Sequence, residues 1–311
     1  MTRTPSVKKT FVVMNTASGG GNDEALVRRL RELFVEAGAP AEILLAQGSE
    51  LDATIESALA QGAGRIVAAG GDGTVSAVAG ALVGSTVELG VLPLGTLNHF
   101  AKDMGLPLDL EDAVRAIATG CSVRVDLGEV NGRVFINNSS LGLYTDIVRD
   151  RDDQRRRLGR GKWPALAWAS LSALRRYPFM RVRLCVGDEE LVRKTPFVFI
   201  GNNQYQMQGF SVGARESLSR GHLCLYVAQR PSRWRLVQLA ARALVGRLSQ
   251  ARDFDVINSP EIVVESPRRQ LRVATDGEIT LMTTPLKYRI RPASLSVVGV
   301  ARPLEQEERE D

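Results

Sequence analysis

The chain has 311 residues, enough for two domains of ordinary size, each with a buried core. Hydrophobic residues make up 44% of the sequence and charged residues 24%, as is typical of soluble globular proteins. Apolar runs are too short for a membrane-spanning helix, and the polar first nine residues resemble neither a signal nor a transit peptide. The net charge of +5 favours polyanionic partners such as nucleotides, nucleic acid or anionic lipid surfaces.

The cysteines and histidines argue against a metal centre built from these residue types. Cys121, Cys185 and Cys224 are widely spaced within apolar runs and form no CxxC pair, so we expect buried, reduced thiols. The chain has only two histidines, which disfavours a histidine-based metal site.

Residues 9–120 alternate between strand-like and helix-like segments. Strands are predicted at residues 10–14, 41–45, 65–69 and 89–92, and helices at residues 23–37, 51–60, 74–83, 97–104 and 110–119. Such alternation predicts an α/β domain with a parallel sheet and helices on both faces. Ligands of such sheets bind at the carboxyl ends of the strands.

From about residue 121 onward strand-like runs dominate, which predicts an all-β, antiparallel sandwich domain. The predicted strands are residues 122–130, 133–138, 182–186, 196–200, 223–228, 261–265, 271–275, 286–290 and 295–300, with helices at 163–176 and 232–249. We therefore expect a first domain at residues 1–120, a second at 121–294 and an acidic tail at 303–311. The last strand, near 295–302, is expected to return to the first domain.

Three glycine-containing loops each follow a predicted strand of the first domain. They cover residues 15–21, 70–74 and 93–98. Glycine lets backbone N–H groups approach phosphate oxygens, and the helix after each loop adds its positive end. The alternative is that all three are simple tight turns. None matches GxxxxGK[ST] and none is a clean GxGxxG after the first strand, which excludes a P-loop NTPase and disfavours a dinucleotide-dependent dehydrogenase.

Asp72 stands between two glycines and is followed closely by Thr74. A carboxylate at this place can bind Mg²⁺ or orient a hydroxyl, and Thr74 can donate to a phosphate oxygen. The alternative is that Asp72 caps the helix that follows. Both roles are compatible with the sequence.

These motifs carry a family resemblance. The run Gly-Gly-Asp-Gly-Thr, followed by Pro-Leu-Gly-Thr-x-Asn-x-Phe-Ala, resembles the catalytic domain of the diacylglycerol kinase and sphingosine kinase family, and most closely its soluble bacterial lipid kinases. Residues 15–19 resemble the nucleotide loop of that family, and residues 275–278 resemble its Asp-Gly-Glu motif. The likeness spans residues 10 to 300.

The resemblance implies a three-layer α/β domain, a β-sandwich and an active site in the cleft between them. It implies a kinase that uses ATP and Mg²⁺, with Glu278 as the general base for a lipid hydroxyl and Asp276 beside it. The expected ATP-binding residues are Asn15, Thr16, Ala17, Ser18, Gly19, Gly70, Gly71, Asp72, Gly73, Thr74, Val75, Ser76, Gly95, Thr96 and Asn98. Asp72 is also the expected contact of the ATP-bound Mg²⁺.

Three positions leave open questions. Without the resemblance, Asp276-Gly277-Glu278 also reads as a hairpin turn, since Asp-Gly is a favoured hairpin pair. His99 stands where the family usually has aspartate; it either changes the charge near the phosphates or is simply a helix residue. Arg220 occupies a stretch where bacterial members often hold a structural Mg²⁺, and an arginine cannot ligate a cation.

A basic segment predicts contact with a membrane surface. Residues 149–183 hold eleven arginines and lysines against three aspartates and include a tryptophan-containing helical stripe. A second basic stripe, at residues 234–248, is better explained by core packing, and a partner interface is the alternative for the first. We expect a cytoplasmic, peripherally membrane-associated protein that acts on a lipid; a homodimer is left open, and no nucleic-acid-binding module is recognisable.

The motifs are compatible with more than one function. Diacylglycerol is the expected acceptor, giving phosphatidic acid; sphingoid bases, ceramide and phosphatidylglycerol are alternatives. NAD kinases also contain Gly-Gly-Asp-Gly-Thr, but the stretch at 93–101 favours the lipid branch. A nucleotide-binding regulator without catalysis is the third possibility, against which the retention of Asp72 and Glu278 argues.

Overall fold

A computed structural model describes residues 8–16, 23–142, 179–187, 189–208, 211–215, 218–228 and 254–299. The chain divides into two compact units. Unit 1 contains residues 1–125 and 294–311, and unit 2 contains residues 126–293. The first boundary therefore falls a few residues after the expected position, and the end of the chain belongs to unit 1.

Unit 1 is an α/β layer structure whose elements alternate as the sequence predicts. Its elements are β1 (Thr10–Asn15), α1 (Asp23–Glu36), β2 (Ala41–Ala46), α2 (Leu51–Ala60), β3 (Arg65–Gly70), α3 (Asp72–Leu82), β4 (Glu88–Pro93), α4 (His99–Asp103) and α5 (Leu110–Thr119). Two long strands, β5 (Cys121–Val130) and β18 (Leu286–Gly299), carry the chain between the units.

The sheet of unit 1 is parallel, with the strand order β2-β1-β3-β4 followed by the end of β18. On one face, alternate strand residues such as Val12, Met14 and Val67 pack with buried residues of α1 and α5. The intervening residues Phe11 and Val13 are also fully buried, and α2 and α3 contact β1 and β3. A strand buried on both faces is typical of parallel sheets, and the three-layer prediction is confirmed.

Unit 2 is an antiparallel sandwich. Its further strands are β6 (Arg133–Phe135), β7 (Asn138–Gly142), β8 (Met180–Val186), β9 (Glu189–Thr195), β10 (Phe197–Asn202), β11 (Tyr205–Gln208), β12 (Ser211–Arg215), β13 (Leu223–Ala228), β14 (Phe254–Ser259), β15 (Glu261–Glu265), β16 (Gln270–Thr275) and β17 (Glu278–Thr283). One sheet has the order β14-β13-β10-β7-β16-β17, and the first part of β18 continues through β15 and β8 to β9. Buried residues from both sheets form one core, as a sandwich requires.

The two last predicted strands are one continuous strand, β18. Ala293 lies within it at a φ of 45°, an uncommon conformation for a residue with a Cβ. Its N–H donates to Asp126 Oδ1 at 2.8 Å, and Asp126 is only 3% exposed. The buried carboxylate thus stabilises the irregular residue that the sequence pattern showed as a break between two strands.

The amino ends of the unit 1 strands carry a buried charge cluster. Glu88, the first residue of β4, is 5% exposed and accepts hydrogen bonds from Lys8, Arg65 and Ser122. Arg65 Nη2 lies 2.9 Å from Glu88 Oε2. Burial alone would raise the pKa of Glu88, but these donors outweigh it and hold the pKa below its ordinary value.

Candidate functional site

The strands that precede the three glycine-containing loops end at one edge of the unit 1 sheet. β1 ends at Asn15, β3 at Gly70 and β4 at Pro93, and these strands are neighbours in one parallel sheet. Because the carboxyl ends of parallel strands meet at the same edge, the loops after them are brought together. Of the first loop, Asn15 and Thr16 are described, whereas Ala17, Ser18 and Gly19 lie outside the described residues.

Gly95 lets the second and third loops pack backbone against backbone, and Gly70 makes room for the Thr74 side chain within the second loop. A Cβ added at Gly95 would lie 2.5 Å from the Cα of Gly71, a distance that no real side chain reaches. A Cβ at Gly70 would lie 2.4 Å from Thr74 Oγ1. These glycines are therefore required by the close approach of the chain to itself. At Gly73, by contrast, the space around a Cβ would be open.

Thr74 links the first loop to the second. Its side chain is 2% exposed, and its hydroxyl oxygen lies 3.3 Å from the donating amide nitrogen Nδ2 of Asn15. The sequence suggested that this hydroxyl donates to a phosphate, but its burial gives it a structural position beneath the loops. Val75 is buried as well, and Ser76 is half-buried.

Asp72 does not cap the helix that it begins. The N-cap of α3 is Gly71, and no side chain caps that end. The carboxylate of Asp72 instead accepts from the N–H of Phe100 in the first turn of α4, at 3.1 Å. Asp72 therefore ties the second loop to the third through Oδ1, while Oδ2 has no hydrogen-bond partner among the described residues.

Asn98 shapes the third loop from within. It has a φ of 50°, and its Nδ2 donates to the carbonyl oxygens of Pro93 at 3.1 Å and Gly95 at 2.8 Å. Its Oδ1 accepts from the N–H of Gly95 at 3.1 Å. The side chain proposed to contact a nucleotide is thus engaged with its own loop, and Thr96 and Leu97 are exposed at the loop tip.

His99 is the first residue of α4 and is exposed, which fits its interpretation as a helix residue.

The stretch 218–221 is held by direct hydrogen bonds. Gly221 N–H donates to Asp126 Oδ2 at 2.7 Å, and Arg220 N–H donates to Asn203 Oδ1 at 3.1 Å. In the part of the chain that the structure describes, no cluster of three or more His, Cys, Asp or Glu could hold a metal ion.

The unit 1 loops suit a phosphate-bearing ligand. Glycine backbone lines the second loop, the positive end of the eleven-residue helix α3 begins at Asp72, and the second carboxylate oxygen of Asp72 remains available. Mg²⁺ commonly binds proteins through one or two carboxylates and otherwise through phosphate and water. A single carboxylate at this edge therefore fits a cation that arrives with a nucleotide.

Asp276 and Gly277 form a two-residue hairpin turn between β16 and β17. Thr275 pairs directly with Glu278, and both turn residues have positive φ, 49° and 89°. This is the hairpin geometry that Asp-Gly favours. The turn interpretation of the motif is thus correct for the backbone, and it leaves the role of Glu278 open.

The carboxylate of Asp276 holds the link between β6 and β7. Its Oδ2 accepts from the N–H of Ile136 at 2.8 Å, and its Oδ1 accepts from the N–H groups of Asn137 at 2.8 Å and Asn138 at 3.1 Å. Three backbone donors on one carboxylate anchor the hairpin firmly in the sheet. Asp276, expected beside the catalytic base, has a structural task in unit 2.

Glu278 is exposed and paired with an arginine that the sequence did not single out. The Glu278 side chain is 63% exposed, and its Oε2 lies 2.5 Å from Nη2 of Arg133. Arg133 is 145 positions away in the chain, so no local pattern links the two residues. The Asn131-Gly132 pair before Arg133 does signal a hairpin turn, but it does not indicate which residue Arg133 meets.

The basic segment at residues 149–162, its neighbouring tryptophans and both predicted helices of the second domain lie outside the described residues. Among the helices that the structure does describe, none has the length and apolarity needed to cross a membrane.

Comparison with known families divides the chain near the unit boundary. Residues 9–130 match the family described as the diacylglycerol kinase catalytic domain. Residues 140–299 match the family described as the YegS C-terminal NAD kinase beta sandwich-like domain. The second match alone covers more than half of the chain.

Similar proteins carry related names. A YegS-like lipid kinase of Cronobacter sakazakii is 34% identical over 47% of this chain and 50% of its own length. A diacylglycerol kinase of Mycobacterium tuberculosis is 27% identical over 95% of this chain and 96% of its own. A solved diacylglycerol kinase structure from Bacillus anthracis has a TM-score of 0.69 and 17% identity, with 94% of this chain and 97% of that chain covered. The structural likeness supports the fold.

Proposed function

The chain belongs to the diacylglycerol kinase catalytic-domain family with a YegS-type C-terminal domain and is a lipid kinase; we propose that it transfers the γ-phosphate of ATP to the hydroxyl of diacylglycerol, giving phosphatidic acid. The observation that carries this proposal is the gathering of the second and third glycine-containing loops, with Asn15 and Thr16 of the first, at neighbouring strand ends of a parallel sheet, with Asp72 tying the second loop to the third.

Unit 1 binds the nucleotide in this proposal. The backbone around Gly71 and Gly95 and the N-terminal end of α3 present N–H groups and positive potential to the phosphates. The residues that form these loops are largely engaged with each other, so their backbone is fixed before a ligand arrives. Asp72 would hold the Mg²⁺ that arrives with ATP, and the cation would neutralise charge on the phosphates.

Unit 2 supplies the base. Glu278 accepts the proton of the acceptor hydroxyl as the new oxygen–phosphorus bond forms and the bond to the bridging oxygen of ADP breaks. Glu278 is exposed, as a group that must meet an exchangeable substrate needs to be. Only one of its carboxylate oxygens, Oε2, has a hydrogen-bond partner among the described residues, which leaves Oε1 to accept the proton.

The lipid is reached at a membrane surface. The eleven basic residues between 149 and 183 favour an anionic surface, and this association is peripheral in our proposal. Phosphorylation of NAD and a purely regulatory role are the competing functions. The available carboxylate of Glu278 favours catalysis over a regulatory role.

A radiolabel transfer assay tests the proposal. The protein is incubated with γ-labelled ATP, Mg²⁺ and one acceptor at a time: diacylglycerol, ceramide, sphingosine, phosphatidylglycerol or NAD. We expect label in phosphatidic acid. Label in another lipid would move the acceptor assignment within the same class of reaction, label in NADP would replace the lipid by a nucleotide, and no transfer to any acceptor would contradict the proposed chemistry.

A further inference from the structure

The arginine that contacts Glu278 is held by more than its ion pair. Its guanidinium makes three hydrogen bonds: Nε to Thr275 Oγ1 at 2.9 Å, Nη1 to Thr280 Oγ1 at 2.9 Å and Nη2 to Glu278 Oε2 at 2.5 Å. We infer that Arg133 is a positioning residue for the base, fixing one oxygen of Glu278 so that the other faces the acceptor hydroxyl. This inference rests on the proposed function.

The backbone of Arg133 is fixed before its side chain is considered. Asn131 and Gly132 form a two-residue turn with φ values of 47° and 86°, and Val130 pairs with Arg133 across it. The side chain of Asn131 donates to the carbonyl of Thr283 at 3.0 Å and accepts from the N–H of Lys287 at 2.8 Å. The turn that presents Arg133 is thus attached to the strand ends beyond Glu278.

The orientation of the guanidinium does not depend on Glu278. Two of its three acceptors are threonine hydroxyls on the β16–β17 hairpin, and Thr275 is only 2% exposed. The guanidinium is planar and its donors point in fixed directions, so bonds to Thr275 and Thr280 also fix the direction of the third donor. That donor is the one that meets Glu278.

A carboxylate held at one oxygen loses most of its freedom to rotate. Without Arg133, a side chain that is 63% exposed would sample several rotamers, and only some would place an oxygen at the reacting hydroxyl. Catalytic groups work only when held near the productive geometry. The ion pair therefore gives an exposed base the order that burial gives to most catalytic groups.

A purely structural role explains the arrangement poorly. Ion pairs between exposed side chains contribute little to stability. The hairpin that carries Glu278 is already held by a six-residue antiparallel ladder and by the three bonds of Asp276. Removing the arginine should therefore leave the fold of unit 2 intact while releasing Glu278.

The test is a double-mutant cycle on the full chain. Arg133→Met is made alone and together with Glu278→Gln, and kcat and the KM for ATP are measured with the acceptor found in the transfer assay. We expect Arg133→Met to lower kcat on the order of 10- to 100-fold with little change in the KM for ATP. In the Glu278→Gln background the same change should lower kcat less than about twofold, because there is no base left to position.

Two further variants keep the test decisive. Thr280→Val removes one acceptor of the guanidinium without changing side-chain shape, and it should lower kcat by a smaller factor that also disappears in the Glu278→Gln background. Arg133→Lys keeps the charge but not the planar fork, so it should restore part of the lost kcat. Arg193→Met is the matched control, because Arg193 pairs with Asp255 in the same unit and neither residue has a part in the proposed chemistry.

The outcomes distinguish failure of the positioning role from failure of the proposed function. The positioning role would be overturned if Arg133→Met lowered kcat by the same factor in the parent and in Glu278→Gln. It would also be overturned if the Arg133→Met protein folded and kept the parent's kcat. If Arg133→Met does not fold, equal losses from Thr280→Val in both backgrounds overturn it instead. Full activity in Glu278→Gln would overturn the base assignment, and an inactive parent protein would contradict the proposed function itself.

Discussion

The two units treat their functional residues in opposite ways. In unit 1 the residues that the motifs highlight bond mainly to one another: Asn15 with Thr74, Asp72 with Phe100, and Asn98 with its own loop. In unit 2, Glu278, the proposed base, is exposed and has one side-chain partner among the described residues. A rigid loop cluster suits a ligand recognised by backbone N–H groups, whereas an exposed carboxylate suits proton transfer to an exchangeable substrate.

This contrast predicts which variants damage binding and which damage chemistry. Substitutions in the unit 1 loops should alter either nucleotide binding or the charge that acts on its phosphates, and those around Glu278 should alter turnover alone.

The largest effect is expected for Asp72→Asn. Asparagine keeps an oxygen that can accept from the Phe100 N–H, so the loops stay tied while the charge is lost. We expect turnover to fall by at least about 10²-fold, since charge that stabilises transferring phosphate is removed. Thermal unfolding should be unchanged. Asp112→Asn, the same chemical change at an exposed position of α5, is the control. Equal activity in the two variants would show that the charge of Asp72 is not used in turnover.

Gly95→Ala should come next, because the added Cβ meets the backbone of Gly71 at 2.5 Å. Overpacking of this kind costs about 1–3 kcal/mol and should displace the second and third loops. We expect a lower melting temperature together with a raised KM for ATP. Gly80→Ala adds the same methyl group to α3 in open space, so it should leave the KM for ATP unchanged and raise the melting temperature slightly through its better helix propensity. A normal KM in Gly95→Ala would show that the two loops need not touch.

The sequence predicts the elements and contacts of unit 1 better than those of unit 2. Apolar periodicity and glycine placement predicted nearly every element of unit 1, because each βα unit is a local pattern. In unit 2, β9 was missed because its sequence, Glu-Glu-Leu-Val-Arg-Lys-Thr, is that of a charged edge strand. The Arg133–Glu278 pair was out of reach, since residues 145 positions apart meet only through the sheet register.

Stability at acid pH provides a prediction for the opposite edge of the unit 1 sheet. The folded-state pKa of Glu88 is depressed, so the stability that its charge contributes is present above the unfolded-state pKa of about 4.5. It is lost as the pH falls through the lower folded-state pKa. Glu88→Gln should lower the free energy of unfolding at pH 7 by about 3 kcal/mol, because Arg65 loses its buried partner.

The same variant should lose less stability than the parent as the pH falls below 4.5. The KM for ATP should be unchanged in folded Glu88→Gln, because the loops lie at the other ends of the strands. Glu32→Gln, at an exposed position of α1, is the control. If the free energy of unfolding fell equally with pH in Glu88→Gln and in the parent, Glu88 would not be the cause of the acid sensitivity.

The smallest effect on activity is expected for surface charge. Replacing Arg155, Arg156 and Arg157 by glutamine should weaken binding to anionic vesicles by about 3 kcal/mol at most and remove much of its salt dependence. Activity on a short-chain, detergent-dispersed lipid should barely change. Replacing the exposed Arg28, Arg31 and Arg115 of unit 1 matches the change in net charge. Equal vesicle binding by both triple variants would contradict a specific membrane role for the segment.

The division between a binding unit and a proton-accepting unit is tested most directly by Glu278→Gln. Titration calorimetry gives its Kd for ATP with Mg²⁺, and the transfer assay gives its kcat. The account predicts an unchanged Kd and a kcat lower by on the order of 10²- to 10⁴-fold. A weaker Kd with kcat retained would place Glu278 with the nucleotide and contradict the division.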